Sequence, residues 1–234
     1  TLTLHQLDEV IDRLDLAVDS ASLESYRPRY NVAPGNTHWI VRSGEVRREL
    51  VPADWGLINS WSKDPRVAYK QINARAETLE ARPAWRAAFR QRRCVVPSDG
   101  FYEWQGPKNA REPVWFHPAD GGLLWLAGLY ESWENDETGE SRTTFTVITT
   151  EANRVVRPVH GRMPVIIAEP DIAEWVGGQE PGKLLKPIDE ALIACRPVSS
   201  RVNSPKNDDP ACLEPRAAAQ GDAHGFGQLG LFEG

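Results

Sequence analysis

The stretch Thr149-Thr150-Glu151-Ala152-Asn153-Arg154-Val155-Val156-Arg157-Pro158-Val159-His160-Gly161-Arg162-Met163-Pro164 is the part of the chain around which the fold is read. It grows out of a threonine-rich apolar run at 145–150. β-Branched residues of this kind fit a pleated surface, so a buried strand is expected there. Pro158 and Pro164 fix the backbone on either side of His160, which predicts a held imidazole beside the Arg162 guanidinium. Such a histidine exchanges protons near neutral pH next to a fixed positive charge that attracts anions. A core histidine with a satisfied ring and a surface arginine would read the same way on this stretch alone.

Outward from this run the signals are mostly those of short strands. Residues 38–41 and 46–51 are β-prone and separated by Arg42, Ser43 and Gly44, which predicts a hairpin. Further strands are expected at 94–97, 114–117, 123–130, 143–150, 165–168, 192–195 and 196–202, with polar residues 135–139 turning one pair. Helical spacing is sparser. Leu7, Val10, Ile11 and Leu14 follow a capping box from Thr3 to Gln6. Trp85 and Phe89 share a face in a segment entered from Glu77 or Thr78 through Pro83, and Pro170 opens a helix through Trp175. The resulting expectation is an α+β fold, mainly short antiparallel strands in a bifurcated, barrel-like sheet with peripheral helices.

Length and composition bound the rest. The 234 residues suffice for one sizeable core, so one domain over 1–214 is expected, and residues 217–234, rich in Gly, Ala and Gln, extend a poorly ordered tail from 215. With 41% hydrophobic and 26% charged residues, the chain has the composition of an ordinary globular protein. No apolar run approaches the roughly 20 residues of a membrane span, and no basic-then-apolar leader opens the sequence. A cytoplasmic monomer without a membrane partner is expected. Cys94, Cys195 and Cys212 are widely spaced with no Cys-x-x-Cys pair, which points to neither a disulfide framework nor a metal site. No cofactor is implied.

The net charge of −6 argues against a uniformly cationic surface. Within 66–93, however, Arg66, Lys70, Arg75, Arg82, Arg86, Arg90, Arg92 and Arg93 outnumber Glu77 and Glu80. That segment either lines an anion-binding groove or is a solvated face. Asn73 and Arg75 precede an expected helix amino end, where anions are favoured. Glu103 stands among Phe101, Tyr102 and Trp104, and a carboxylate facing a pocket there would have its pKa raised toward the range useful for proton transfer. On the outer face of a strand it would merely be solvated. Trp61, in a polar loop beside basic residues, either stacks on a base or caps the core.

Six blocks, at 31–35, Trp55-Gly56, 73–78, 98–104, 160–164 and 196–207, resemble in content and order the signature blocks of the SOS response-associated peptidase family. The resemblance spans 30 to about 207. It implies a protein that links covalently to abasic sites in single-stranded DNA through a thiazolidine, formed by a cysteine at the mature amino terminus. It also implies autocatalytic removal of the initiator methionine. By the same resemblance Asn73 orients the nucleophile, Glu103 is the acid/base, and His160 helps open the deoxyribose and stabilise its oxygen. Arg75 and Arg162 hold phosphates, and Thr149, Pro34 and Trp61 belong to the DNA-facing surface. The cysteine is expected a few residues before Thr1, since none of the three cysteines present carries a free α-amine. Two other functions stay open at this point: a non-covalent single-stranded-DNA-binding module and a general cysteine peptidase.

Overall fold

In the computed structural model, which describes residues 1–19, 23–24, 26–107 and 109–216, the threonine-rich run lies in an 11-residue strand, Ser141–Glu151, with 144–148 all buried. Its residues do not alternate between core and solvent because both faces are covered. Ile148 packs in one apolar cluster, whereas Phe145 and Val147 pack in another.

In chain order the strands are β1 (Leu2–Leu4), β2 (Ala17–Val18), β3 (Arg29–Val32), β4 (Thr37–Arg42), β5 (Glu49–Trp55), β6 (Asn73–Arg75) and β7 (Arg93–Ser98). They continue with β8 (Gly100–Gln105), β9 (Glu112–Pro118), β10 (Leu124–Glu134), β11 (Ser141–Glu151), β12 (Arg162–Pro164), β13 (Ile166–Ile167) and β14 (Ile193–Pro197). The helices α1 (Leu7–Leu14), α2 (Pro83–Gln91) and α3 (Ile172–Gly177) are short. Strands β11, β10, β7, β4 and β5 are successive antiparallel neighbours, and a parallel contact of Asp54 and Trp55 with Thr144 and Phe145 closes them into a barrel. The barrel wall obeys the two-residue period of a strand. Trp39, Val41, Val95, Trp125, Ala127 and Leu129 pack outward with α1, α2 and α3, while Ile40, Val96, Leu124 and Leu126 belong to the other cluster.

A second, antiparallel sheet runs β14-β9-β8-β1-β3, with Leu2 opposite both Phe101 and Val32. Gly100 permits the approach of β8 to β9: a Cβ there would lie 2.4 Å from Trp115 Nε1 and 2.5 Å from the Phe116 carbonyl oxygen. Strand β11 is the fork of the larger sheet, pairing along its length with β10, β5, β6 and β12. The fold is therefore α+β with a bifurcated, barrel-like sheet. The β4–β7 seam is short, Val41 and Arg42 opposite Val95 and Cys94. Where the two backbones have parted, buried His38 bridges the gap with Nε2 2.8 Å from the Pro97 carbonyl oxygen.

Several local expectations are corrected. Thr3 does not cap α1: it sits in β1 and its hydroxyl donates to the Gly100 carbonyl, and α1 begins at Leu7. The second hairpin strand starts at Glu49, opposite Arg42, because Gly44 and Arg47 close the turn and leave Val46 97% exposed. Glu77 and Thr78 lie in a separate 3-10 turn, and α2 starts only at Pro83, whose missing N–H is harmless in a first turn. Pro197 ends the last strand, and Ser200–Asn203 is a 3-10 turn. Pro215 still bridges Val198, and Arg216 pairs with Glu112; from 217 on, the expected tail lies outside the described residues. Among the described residues no helix is long and apolar enough to cross a membrane.

Candidate active site

The site forms where β6, β11, β12, β8 and the first residue of the chain meet. Strand β6 lies parallel to β11, with Asn73 opposite Val147 and Arg75 opposite Thr149. Alternation buries Ala74 and turns Asn73 and Arg75 to the same side. On the other flank β12 places Arg162 opposite Glu151 and Pro164 opposite Thr149. Strand β8 brings Glu103, and the Tyr102 amide donates to the Thr1 carbonyl at 2.9 Å. The cleft between them has a volume of about 270 Å³ and is lined by Thr1, Trp55, Asn73, Arg75, Glu103, Thr149, His160, Arg162 and Met163, among others.

His160 is held as its flanking prolines suggest, although by hydrogen bonds. Its amide donates to the Val156 carbonyl at 3.0 Å, and the Ala152 amide donates to the Gly161 carbonyl, closing the turn. The ring Nδ1 stands 2.9 Å from the Arg162 carbonyl oxygen and 3.2 Å from the Arg162 amide. It therefore finds a backbone partner whether or not it carries a proton. Glu103 Oε1 is 3.9 Å from the same nitrogen. Burial raises the Glu103 carboxyl above its ordinary value, opposed by His160, the α-amine and Arg111. An α-amine at Thr1 is pulled down to about 6 by desolvation, with Glu103 acting in the opposite sense. The cleft thus favours a neutral amine beside a carboxyl whose proton is held more tightly than usual.

The Arg162 side chain is already engaged. Nη1 and Nη2 each donate to Glu77 at 3.0 Å, Nη2 also donates to the Thr149 carbonyl at 2.6 Å, and Nε lies 3.3 Å from Thr149 Oγ1. Arg75 is exposed and makes no ion pair among the described residues. The three thiols stay away from the cleft lining; burial pushes Cys94 and Cys212 up, away from thiolate character, and partial desolvation raises exposed Cys195 in the same direction.

The sequence model of the family described as "SOS response associated peptidase (SRAP)" matches residues 1–205. This chain belongs to the SRAP family. It is 38% identical over 218 residues to the "Abasic site processing protein YoqW" of Bacillus subtilis, covering 89% of this chain and 95% of that protein. Over 226 residues it is 34% identical to the "Abasic site processing protein HMCES" of Gallus gallus, covering 81% of this chain and 67% of that protein. In fold it is similar to a crystal structure of a protein from Bacteroides thetaiotaomicron, with a TM-score of 0.81, 24% identity, and 93% and 98% of the two chains covered.

Of the residues singled out in this SRAP chain, Asn73, Arg75, Glu103, Thr149, His160 and Arg162 converge on one cleft. Pro34 and Trp61 are exposed and do not line it. The arginine-rich segment does not form one groove. Arg75 alone of its eight cations lines the cleft, Arg66 pairs with Asp64, Arg92 with buried Glu131, and Arg93 is itself buried against backbone carbonyls. Sequence reasoning missed Glu77 and Trp55 as parts of the site. Among the described residues no group of three or more His, Cys, Asp or Glu is placed to hold a metal ion.

Proposed function

We propose that this SRAP protein processes abasic sites in single-stranded DNA by covalent capture, through a cysteine lying amino-terminal to Thr1 in the intact protein. The observation that carries this reading is the position of Thr1 in the lining of the cleft that holds Asn73, Glu103 and His160. Strand β1 points toward that cleft, with β8 beside it, so residues preceding Thr1 would be delivered to Glu103 by continuation of the same strand pairing. The names of the relatives, which refer to abasic-site processing, agree with it.

The chemistry follows from the groups at hand. Ring-opened deoxyribose presents an aldehyde; a neutral α-amine adds to its carbon, water leaves with a proton from an acid, and the imine results. The thiol sulfur then adds to the imine carbon while its proton passes to nitrogen, closing the thiazolidine. An α-amine ordinarily titrates at about 7.7–8.0, and the desolvation that lowers an amine at Thr1 acts in the same direction on any amine held in this cleft, favouring the neutral nucleophile. Glu103, with its proton affinity raised by burial, suits the shuttle of protons. His160, 3.9 Å away, can assist sugar opening and balance charge on its oxygen, and Asn73 can orient the amine. Arg75 and Arg162 are the phosphate contacts, with Thr149 between them and Pro34 and Trp61 on the outer path of the strand. The same placement supports self-processing: the cysteine thiol adds to the carbonyl carbon of an initiator methionine, the cysteine nitrogen takes a proton and leaves as the free α-amine, and water hydrolyses the resulting thioester to release methionine and restore the thiol.

Full-length protein incubated with a single-stranded oligonucleotide carrying one abasic site is expected to give an adduct that survives denaturing electrophoresis. Undamaged DNA should give none. An adduct with the abasic strand that persists after replacement of the amino-terminal cysteine by alanine would overturn the reading.

A further inference from the structure

The fork of Arg162 and the carboxylate of Glu77 carry a consequence for how the cleft takes up DNA. A planar guanidinium binds carboxylate and phosphate in the same two-pronged geometry. In this structure that geometry is filled from within the chain, by two parallel bonds of 3.0 Å to Glu77. Two further bonds, to the Thr149 carbonyl and hydroxyl, use other hydrogens of the guanidinium and do not involve Glu77. Four of the five guanidinium hydrogens are thus committed.

Resting on the DNA reading above, we propose that Glu77 is the resident occupant of the Arg162 fork, a positioning carboxylate that a DNA backbone phosphate displaces on binding. The exchange is geometrically simple. Glu77 sits in the three-residue 3-10 turn Ala76–Thr78, just after β6. Its side chain is half exposed, so it can rotate into solvent without breaking a strand. Carboxylate and phosphodiester each bring one negative charge, so the charge on the fork is conserved. Arg162 stays docked through Thr149, and its backbone keeps its contact with His160 Nδ1. Arg75, exposed and without an ion pair within 4 Å among the described residues, lies in the field of Glu77 and can meet a phosphate before the exchange takes place. Arg162 holds the Glu77 carboxyl below the usual carboxylate range, so Glu77 is ionised and competes at neutral pH.

The test is the salt dependence of binding in the full-length protein, measured by fluorescence anisotropy. The probe is a single-stranded oligonucleotide bearing a tetrahydrofuran abasic analogue, which has no aldehyde and so reports binding alone. In the wild type the Arg162 contact is made at the cost of the Glu77 ion pair, so it releases little net counterion. In Glu77→Gln no displaced carboxylate is left beside the bound phosphate, so its neutralisation releases the cations condensed on the strand, and the same contact should steepen the slope of log affinity against log salt by about 0.7, the single-strand value per phosphate. Affinity at low salt should rise several-fold. In an Arg162→Gln background, Glu77→Gln should leave the slope where it was. Tighter binding with an unchanged slope, or an equal change in both backgrounds, would reduce Glu77 to a nearby charge and overturn the exchange. Weaker binding would make it a structural brace and overturn it as well. Failure of the wild type to bind the oligonucleotide at low salt would instead overturn the DNA reading on which the exchange rests.

Discussion

Replacing His38 by glutamine should flatten the acid limb of the stability curve. The imidazole is buried in the barrel wall and its pKa is lowered from 6.5 to about 4, chiefly by desolvation and against the pull of its bond to the Pro97 carbonyl. The folded value lies below the unfolded one, so the unfolded chain takes the proton first as pH falls. Stability from this group is complete above 6.5 and is lost as pH drops through about 4. At 1.36 kcal/mol per pKa unit the full loss is about 3.4 kcal/mol, of which about 2 kcal/mol is gone at about pH 5. Glutamine keeps an N–H donor for Pro97 at the β4–β7 seam but does not titrate. Urea denaturation of both proteins near pH 7.5 and near pH 5 should show the wild type losing about 2 kcal/mol more than His38→Gln. His5, whose pKa is raised by its bond to Asp99, contributes in the opposite sense but equally in both proteins. Parallel losses in the two proteins would refute the account of a neutral, desolvated histidine.

Glu103→Gln should lower the rate of adduct formation with abasic single strands by about 10²–10⁴-fold, the usual contribution of an acid/base group. Because burial raises this carboxyl in the folded state, its ionisation destabilises the fold as pH rises, so the same variant should be more stable than the wild type at pH 7 and no more stable in strong acid, by denaturant titration. Trp61→Ala, at a side chain 58% exposed, should leave the melting temperature unchanged while weakening single-strand binding by about 1–3 kcal/mol in a fluorescence titration. Arg93→Met removes the buried guanidinium that donates to the carbonyls of Phe89, Arg90, Trp175 and Gly178, and should cost at least about 3 kcal/mol in thermal unfolding.

What could be read from the sequence was set by local periodicity. The β-branched run of β11, the apolar triplet of Cys94, Val95 and Val96, and the face shared by Trp85 and Phe89 all announce their elements because neighbours along the chain decide them. Pairing is decided elsewhere. That β6 would join β11 as a three-residue parallel strand depends on where the connection 56–72 returns, and Gly56, at φ +139° with Ala68 against it, is a local trace of that path. Val46 misled because β propensity describes fitness for a half-buried surface, and the hairpin turn offered it none. Asn73, Glu103 and His160 are singled out through the resemblance to the family's blocks, but nothing in the order of those blocks shows that they meet in one cleft. Glu77 was passed over because its partner Arg162 lies 85 positions away.

The placement of β1 between β3 and β8 sets a schedule for synthesis. Strand β1 leaves the ribosome well before β8, yet Thr3 bonds to Gly100, 97 residues later, and its neighbour Leu2 needs Phe101 to complete its pairing. Until β8 has emerged, this end of the polypeptide waits in solvent, unable to reach Glu103. Whatever reactivity the cleft confers on that end is therefore switched on late, by the arrival of a distant strand, and a nascent chain stalled before residue 100 would be inert.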